Sequence, residues 1–359
     1  MNLVAVELIL VRLPLLRPFR TSFGTQTVKE AILVRALGGD GVEGWGECAV
    51  AEDPLYSEEW NPGTWMVLRD YLVPAALEGA SSPIKGHPMA KAALEVALLD
   101  LRLRREQVSL ASHLGAVRDR VVCGVSLGIE ERLDDLLRQV DRFVADGYRR
   151  IKLKIEPGWD LQPVRAVREA FPDASLSVDA NAAYGPEDAE HLARLDALDL
   201  DYVEQPLPKD HLLAHADLQR RLETPICLDE TLTSPHVTDE AIRLDACRVV
   251  NLKVGRVGGV EASRRIHDLV LEHRVPMWCG GMLETGIGRA VNLALAAMPG
   301  FTLPGDTSGS NRYFEQDVTA PFVLGRDGTM AVPDGPGIGV TPNPEMLDEI
   351  AVERHVIRR

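Results

Sequence analysis

Between Val121 and about Asp306, short runs rich in Val, Ile and Leu alternate with longer amphipathic stretches, and this alternation constrains the fold more than any other feature. A short apolar run bounded by turn residues reads as a strand buried on both faces. The amphipathic stretch after it reads as a helix returning across the sheet. The strand candidates are VVCGVSLGI, RRIKLKI, SLSVDAN, DYVEQPL, PICLDE, RVVNLKV, VPMWCG and FTLPGD, separated by patterns such as RLDDLLRQVDRFVADG. Repeated βα units of this kind build a parallel sheet, and eight of them fit a closed TIM-like barrel. The competing arrangement, an open doubly wound sheet, usually carries a GxGxxG or GxxxxGK turn after a strand, and no such turn follows any of these strand candidates.

The flanking segments differ in texture. Before residue 121, two alternating apolar segments flank the Gly-Asp-Gly turn at residues 39–41, and an apolar-faced helix with basic residues at its C-terminal end is expected over residues 89–106. After Pro304 the chain is rich in Gly and Pro and is expected to pack back on the first segment. The reading is therefore an α+β capping domain over residues 1–120, a barrel over 121–310 and a returning segment over 311–359. A hydrophobic content of 45% is enough to fill a core of that size. The formal charge of -15, from 54 acidic and 39 basic residues, disfavours nucleic acid and anionic membrane surfaces as partners. Five cysteines without a CxxC pair or zinc spacing suggest a reducing cytoplasm, and MNLVAVELILVRLPLLRPFR lacks the pattern of an export signal.

Barrel enzymes carry their chemistry at the C-terminal ends of the strands. Here the second strand carries Lys152 and Lys154, the third ends in Asp179 and Asn181, the fourth in Glu204, the fifth in Asp229 and Glu230, and the sixth in Lys253. Asp179, Glu204, Asp229 and Lys253 follow one another at intervals of 25, 25 and 24 residues, so one charged group arrives per βα unit. Three carboxylates at one depth repel unless a cation lies between them, and an all-oxygen donor set suits Mg²⁺ or Mn²⁺. Residues two apart on a strand face the same way, which aims Lys152 and Lys154 together into the barrel mouth, with Lys253 opposite. Burial and like-charge neighbours are expected to lower the lysine pKa values toward the range of a base. Ser126 at the first strand's end, Asn181, Gly281, Met282 and the capping-loop aromatics Phe23 and Tyr56 are candidate substrate contacts, as is Phe19. Each of these also has an ordinary structural use as cap, turn or core.

These strand ends, together with RPFRTSFG, GVSLGI, YRRIKLKIEPGWD, NLKVGRVGG, WCGGMLETGIGRA and LPGDTSGSNRYFEQD, resemble the muconate-lactonising subgroup of the enolase superfamily over essentially the whole chain. The resemblance implies a (β/α)₇β barrel under an α+β cap, with Mg²⁺ on Asp179, Glu204 and Asp229. Lys154 and Lys253 would be the acid/base pair, Lys152 would tune Lys154, and Arg256 and Glu230 would lie just behind them. Within the subgroup the strings resemble o-succinylbenzoate synthases that also racemise N-acylamino acids, and Arg256 matches an arginine that in this group accompanies racemase activity. A small-molecule carboxylate as substrate and a homo-oligomer are the implied partners. Dipeptide epimerases and muconate cycloisomerases are the nearest alternatives, and a non-catalytic metal-binding barrel is the alternative outside enzymes. Two departures narrow the choice: a single acid, Asp306, where epimerases carry Asp-x-Asp, and a lysine where mandelate-racemase relatives use histidine.

Overall fold

The computed structural model describes residues 3–359. Leu3–Thr21 and Gly24–Gly38 form one long antiparallel hairpin, with Glu43–Cys48 paired to the second strand. The two segments flanking the Gly-Asp-Gly turn are thus adjacent strands. Ala351–Arg358, for which the sequence gives no strand expectation, pairs antiparallel with Leu3–Thr21 and completes a four-stranded sheet. This sheet and the helix Pro88–Glu106 enclose a core of their own that includes Val6, Leu8, Ile32, Val34, Leu68, Ala93 and Leu101. The helix ends at Gln107 in a left-handed conformation, with Arg104 and Arg105 in its last turn, where basic side chains complement the helix dipole.

Seven parallel strands follow in strict sequence order: Gly124–Leu127, Arg150–Lys154, Leu176–Asp179, Val203–Glu204, Ile226–Leu228, Val249–Leu252 and Met277–Cys279. Every one of these residues is buried, as the continuous apolar runs require of strands covered on both faces. The eighth run, FTLPGD, makes only isolated parallel bridges, Met277 with Phe301 and Cys123 with Gly305. Those bridges join the seventh strand to the first and close the ring. Pro304 has no N–H to give to a ladder, which keeps this run from forming a regular strand. Amphipathic helices such as Leu133–Asp146 and Val260–Glu272 lie between the strands.

The hairpin is longer than the sheet that contains it. Its tip reaches the barrel, where Ser22 Oγ donates to the carbonyls of Ala180 and Asn181 at 3.2 and 3.4 Å and the Ile129 amide donates to Arg20 O at 2.9 Å. Gly128 permits this approach, since a Cβ there would stand 2.8 Å from Arg20 O. The tip is a fixed roof over one side of the barrel mouth. Among the described residues no helix is long and apolar enough to cross a membrane.

Candidate active site

Arg150, Lys152 and Lys154 alternate with Ile151 and Leu153, so the second barrel strand sends three cations to one face at increasing height. Arg150, 1% exposed, is bonded to the Asp306 carboxylate and the Tyr202 hydroxyl and lies 4.9 Å from the centroid of the Trp278 ring. Lys152 Nζ stands 2.6 Å from Glu204 Oε2, 2.7 Å from Asp306 Oδ2 and 3.2 Å from Asp179 Oδ2. Lys154 Nζ donates to Asp179 Oδ2 and to Asn181 Oδ1, both at 2.6 Å. Cross-strand pairing sets Lys154 beside Asp179 and Asp179 beside Glu204, which puts the lysine and the two carboxylates in one layer.

On the far side, Lys253 Nζ donates to Asp229 Oδ2 at 2.8 Å and to the Tyr56 hydroxyl at 3.0 Å. Arg256 shares that carboxylate through Asp229 Oδ1 and also donates to Tyr56 Oη at 3.2 Å, Leu232 O at 3.0 Å and Asn251 O at 2.6 Å. It is buried and pairs with no surface acid. Gly280 has no side chain where the Lys253 stem passes, since a Cβ would meet Lys253 Cε at 2.8 Å.

Gln205 and Asn251, which sequence reasoning left unassigned, help to hold this arrangement. Gln205, fully buried, accepts from the amides of Asp229 and Thr231 at 3.0 and 3.2 Å and so ties the fourth strand's end to the fifth's. Asn251 donates to Glu204 Oε1 at 2.7 Å. Asn181 and Gln205 have φ of 44° and 36°, a left-handed backbone that non-glycine residues avoid, just past Asp179 and Glu204. The only sequence signal for Gln205 and Asn251 is a polar side chain in or beside a strand too apolar to leave it unpartnered.

Burial raises the pKa of Glu204, and Asp179 beside it raises it further; Glu230 is raised for the same two reasons. Asp179 is held below its usual range because Lys154 and Lys152 outweigh its burial. Lys152 and Lys253 depart from expectation. Burial alone would lower Lys152 and Lys253, but Asp306, Glu204 and Asp179 hold Lys152 well above its ordinary value, and Tyr56, Glu230 and Glu204 do the same for Lys253. Carboxylates, not like charges, are their nearest neighbours.

Among the described residues no three His, Cys, Asp or Glu side chains close round a common point, and the ammonium groups stand between the carboxylates. The repulsion that the spacing argument assigns to a metal ion is met here by lysine. The donor set still suits a hard divalent cation: Asp179, Glu204 and Asp229 are each no more than 1% exposed and offer only oxygen. Glu230 Oε2 lies beside them, buried and without a hydrogen-bond partner, while Oε1 accepts from Asn181 at 2.8 Å.

Above these groups lies a cavity of about 280 Å³. Lys154 and Lys253 both reach it, and Asn181, Gly281, Met282, Phe19, Phe23 and Tyr56 contribute to its walls. Ser126 is not among the lining residues and donates to Asp306 Oδ2 at 3.1 Å. A closed parallel barrel roofed by a separate sheet, with charged groups at the strand ends under a cap that brings aromatic and polar side chains to the same cavity, is the build of a barrel enzyme that works on a small polar substrate.

Residues 135–346 match the enolase C-terminal domain-like family and residues 5–115 the N-terminal domain of the mandelate racemase / muconate lactonizing enzyme family. The chain belongs to the enolase superfamily. It is 53% identical to an N-succinylamino acid racemase from Amycolatopsis sp, over 99% of each chain. It is 46% identical to an o-succinylbenzoate synthase from Geobacillus kaustophilus, over 98% of this chain and 96% of that one. Among solved structures, an enolase-superfamily member from Listeria innocua superposes with a TM-score of 0.94 at 38% identity, covering 100% of this chain and 99% of that one.

Proposed function

We propose that the protein is an o-succinylbenzoate synthase that also racemises N-succinylamino acids. The first reaction dehydrates 2-succinyl-6-hydroxy-2,4-cyclohexadiene-1-carboxylate in menaquinone synthesis. Both reactions begin by removing a proton from the carbon next to a carboxylate. The observation that carries the reading is that Lys154 and Lys253 reach one cavity from opposite sides of the ring, at the ends of the second and sixth barrel strands. The similarity to proteins bearing both names supports the choice of substrates.

In racemisation Lys154 removes the α-proton from one face of the substrate and Lys253 delivers a proton to the other, and the reverse reaction exchanges the roles. In dehydration Lys154 takes the α-proton and then protonates the departing hydroxide, while Lys253 remains a cation opposite. Asp179, Glu204 and Asp229 would hold Mg²⁺ or Mn²⁺, which when bound supplies positive charge beside the substrate carboxylate. Asp179, hydrogen-bonded to Lys154, orients that amine, and Asp229 with Tyr56 orients Lys253. Phe19, Phe23, Leu55 and Tyr56 give the cavity an apolar wall for a ring or an amino-acid side chain.

A dipeptide epimerase needs free acid to bind an α-ammonium group. Asp306 is already engaged by Arg150, Lys152 and Ser126, so it has none to give. Incubation of the purified protein with N-succinylamino acids, the cyclohexadiene substrate, dipeptides and muconate tests the reading. Turnover of the first two is expected, and turnover of dipeptides or muconate alone would overturn it.

A further inference from the structure

Outside the strand-end cluster, one buried cation stands apart. Lys29, in the second strand of the capping sheet, is 2% exposed, and its Nζ donates at 3.0 Å to the carbonyls of Ala49 and Met282. Ala49 begins the capping loop that carries Tyr56, and Met282 belongs to the barrel loop after the seventh strand. The same strand holds the other end of the capping loop. Glu30 Oε2 accepts from Asn61 Nδ2 at 3.0 Å, and the loop is pinched shut by the bridge between Ala51 and Trp60. Neighbouring residues of one strand therefore grip both ends of a loop whose middle, at Tyr56, touches Lys253, Arg256 and Asp229.

Burying an ammonium group where two carbonyls are its hydrogen-bond partners is costly for simple packing. A methionine or leucine would fill the same space without that penalty. Glu47 and Glu284 lie close enough to offset part of the charge, and Glu47 is itself bonded to the Thr285 amide and hydroxyl and the Gly288 amide at the start of the helix Gly286–Ala296. Cap and barrel are joined here by polar groups that meet only when both domains are in register. We propose that Lys29 is a positioning residue: it fixes the capping loop against the barrel loop at residues 280–285 so that Tyr56 is held on Lys253. This rests on the function proposed above for its kinetic readout, but not for its structural one.

The test compares wild type, Lys29→Met, Tyr56→Phe and the double variant, using N-succinylamino acid racemisation with the full-length protein and added Mg²⁺. If Lys29 acts through Tyr56, Lys29→Met lowers kcat/KM by about tenfold or more, the scale of loss that small misplacements in a site produce. Adding it to Tyr56→Phe then costs much less than it costs alone. Amide hydrogen exchange, measured without substrate, quickens at residues 49–61 and 280–285 and stays unchanged in the barrel strands. Additive losses, an unchanged kcat/KM, or exchange that quickens throughout the chain would overturn the assignment. Should Lys29→Met not fold, Lys29→Gln enters the same cycle, and failure of both to fold would make Lys29 a scaffold residue and overturn it too. A wild type that turns over neither proposed substrate refutes the functional reading, while the exchange comparison still decides the role of Lys29.

Discussion

Replacing Asp306 by Asn removes the one carboxylate that contacts both Arg150 and Lys152. Those cations are 1% and 3% exposed in their side chains, so neither can turn to water when the acid is lost. Lys152 keeps Glu204 and Asp179, but Arg150 keeps only the Tyr202 hydroxyl and the Trp278 face. Breaking a buried pair from one side costs roughly 3–5 kcal/mol. Unfolding entropy of about 2.1 cal/mol/K per residue gives roughly 0.75 kcal/mol per degree for a chain this long, so Tm should fall by about 4–7 °C. The pH dependence carries a second signature. Burial alone would raise the Asp306 pKa, but Arg150 and Lys152 hold it below its usual value. Its stabilisation is therefore complete above the unfolded-state pKa, near 3.9, and is lost as pH falls below that toward the folded value. Asp306→Asn should thus lose less stability than wild type on going from neutral pH to pH 3. Calorimetry and chemical denaturation across that range give both quantities. An Asn variant as stable as wild type at pH 7, or one with an unchanged acid limb, would refute the view that Asp306 is the counter-charge for this cluster.

Three further outcomes can be measured. In D₂O with single enantiomers of an N-succinylamino acid, Lys154→Ala should abolish α-proton exchange of one enantiomer and Lys253→Ala that of the other; either variant exchanging both at the wild-type rate would rule out two opposed bases. Arg256→Gln leaves Lys253 as the one cation paired with Asp229 and should lower kcat/KM for racemisation by about tenfold more than for o-succinylbenzoate formation, or roughly 1.4 kcal/mol, since only racemisation needs Lys253 to release its proton; equal losses count against this. Chelation should abolish both activities and Mg²⁺ or Mn²⁺ restore them, with full activity in a verified metal-free sample as the refuting result.

The barrel is readable in the sequence because its strands are buried on both faces and leave uninterrupted apolar runs. The strand-end charges are readable because each βα unit adds nearly the same number of residues. Where pairing is long-range, the sequence is silent. Ala351–Arg358 is mostly exposed and carries no apolar period, so only its partner strand marks it as a strand. Arg150 lies within a run read as a strand, yet its role depends on Asp306 from the eighth position and Trp278 from the seventh. Lys29 has no sequence signal beyond a charge in an apolar strand, since both its acceptors are backbone carbonyls of distant loops. The direction of the Lys152 and Lys253 shifts is likewise set by which side chains meet in space.

The pairing of Leu3–Thr21 with Ala351–Arg358 has a consequence for assembly. The strand whose far end roofs the cavity is made well before its outer neighbour, with the whole barrel coming between them in the chain. Until residues 351–358 arrive, that strand presents an open hydrogen-bonding edge to any passing chain. The barrel can close before its lid has a complete sheet to stand on, which makes the nascent lid the segment most in need of protection during synthesis.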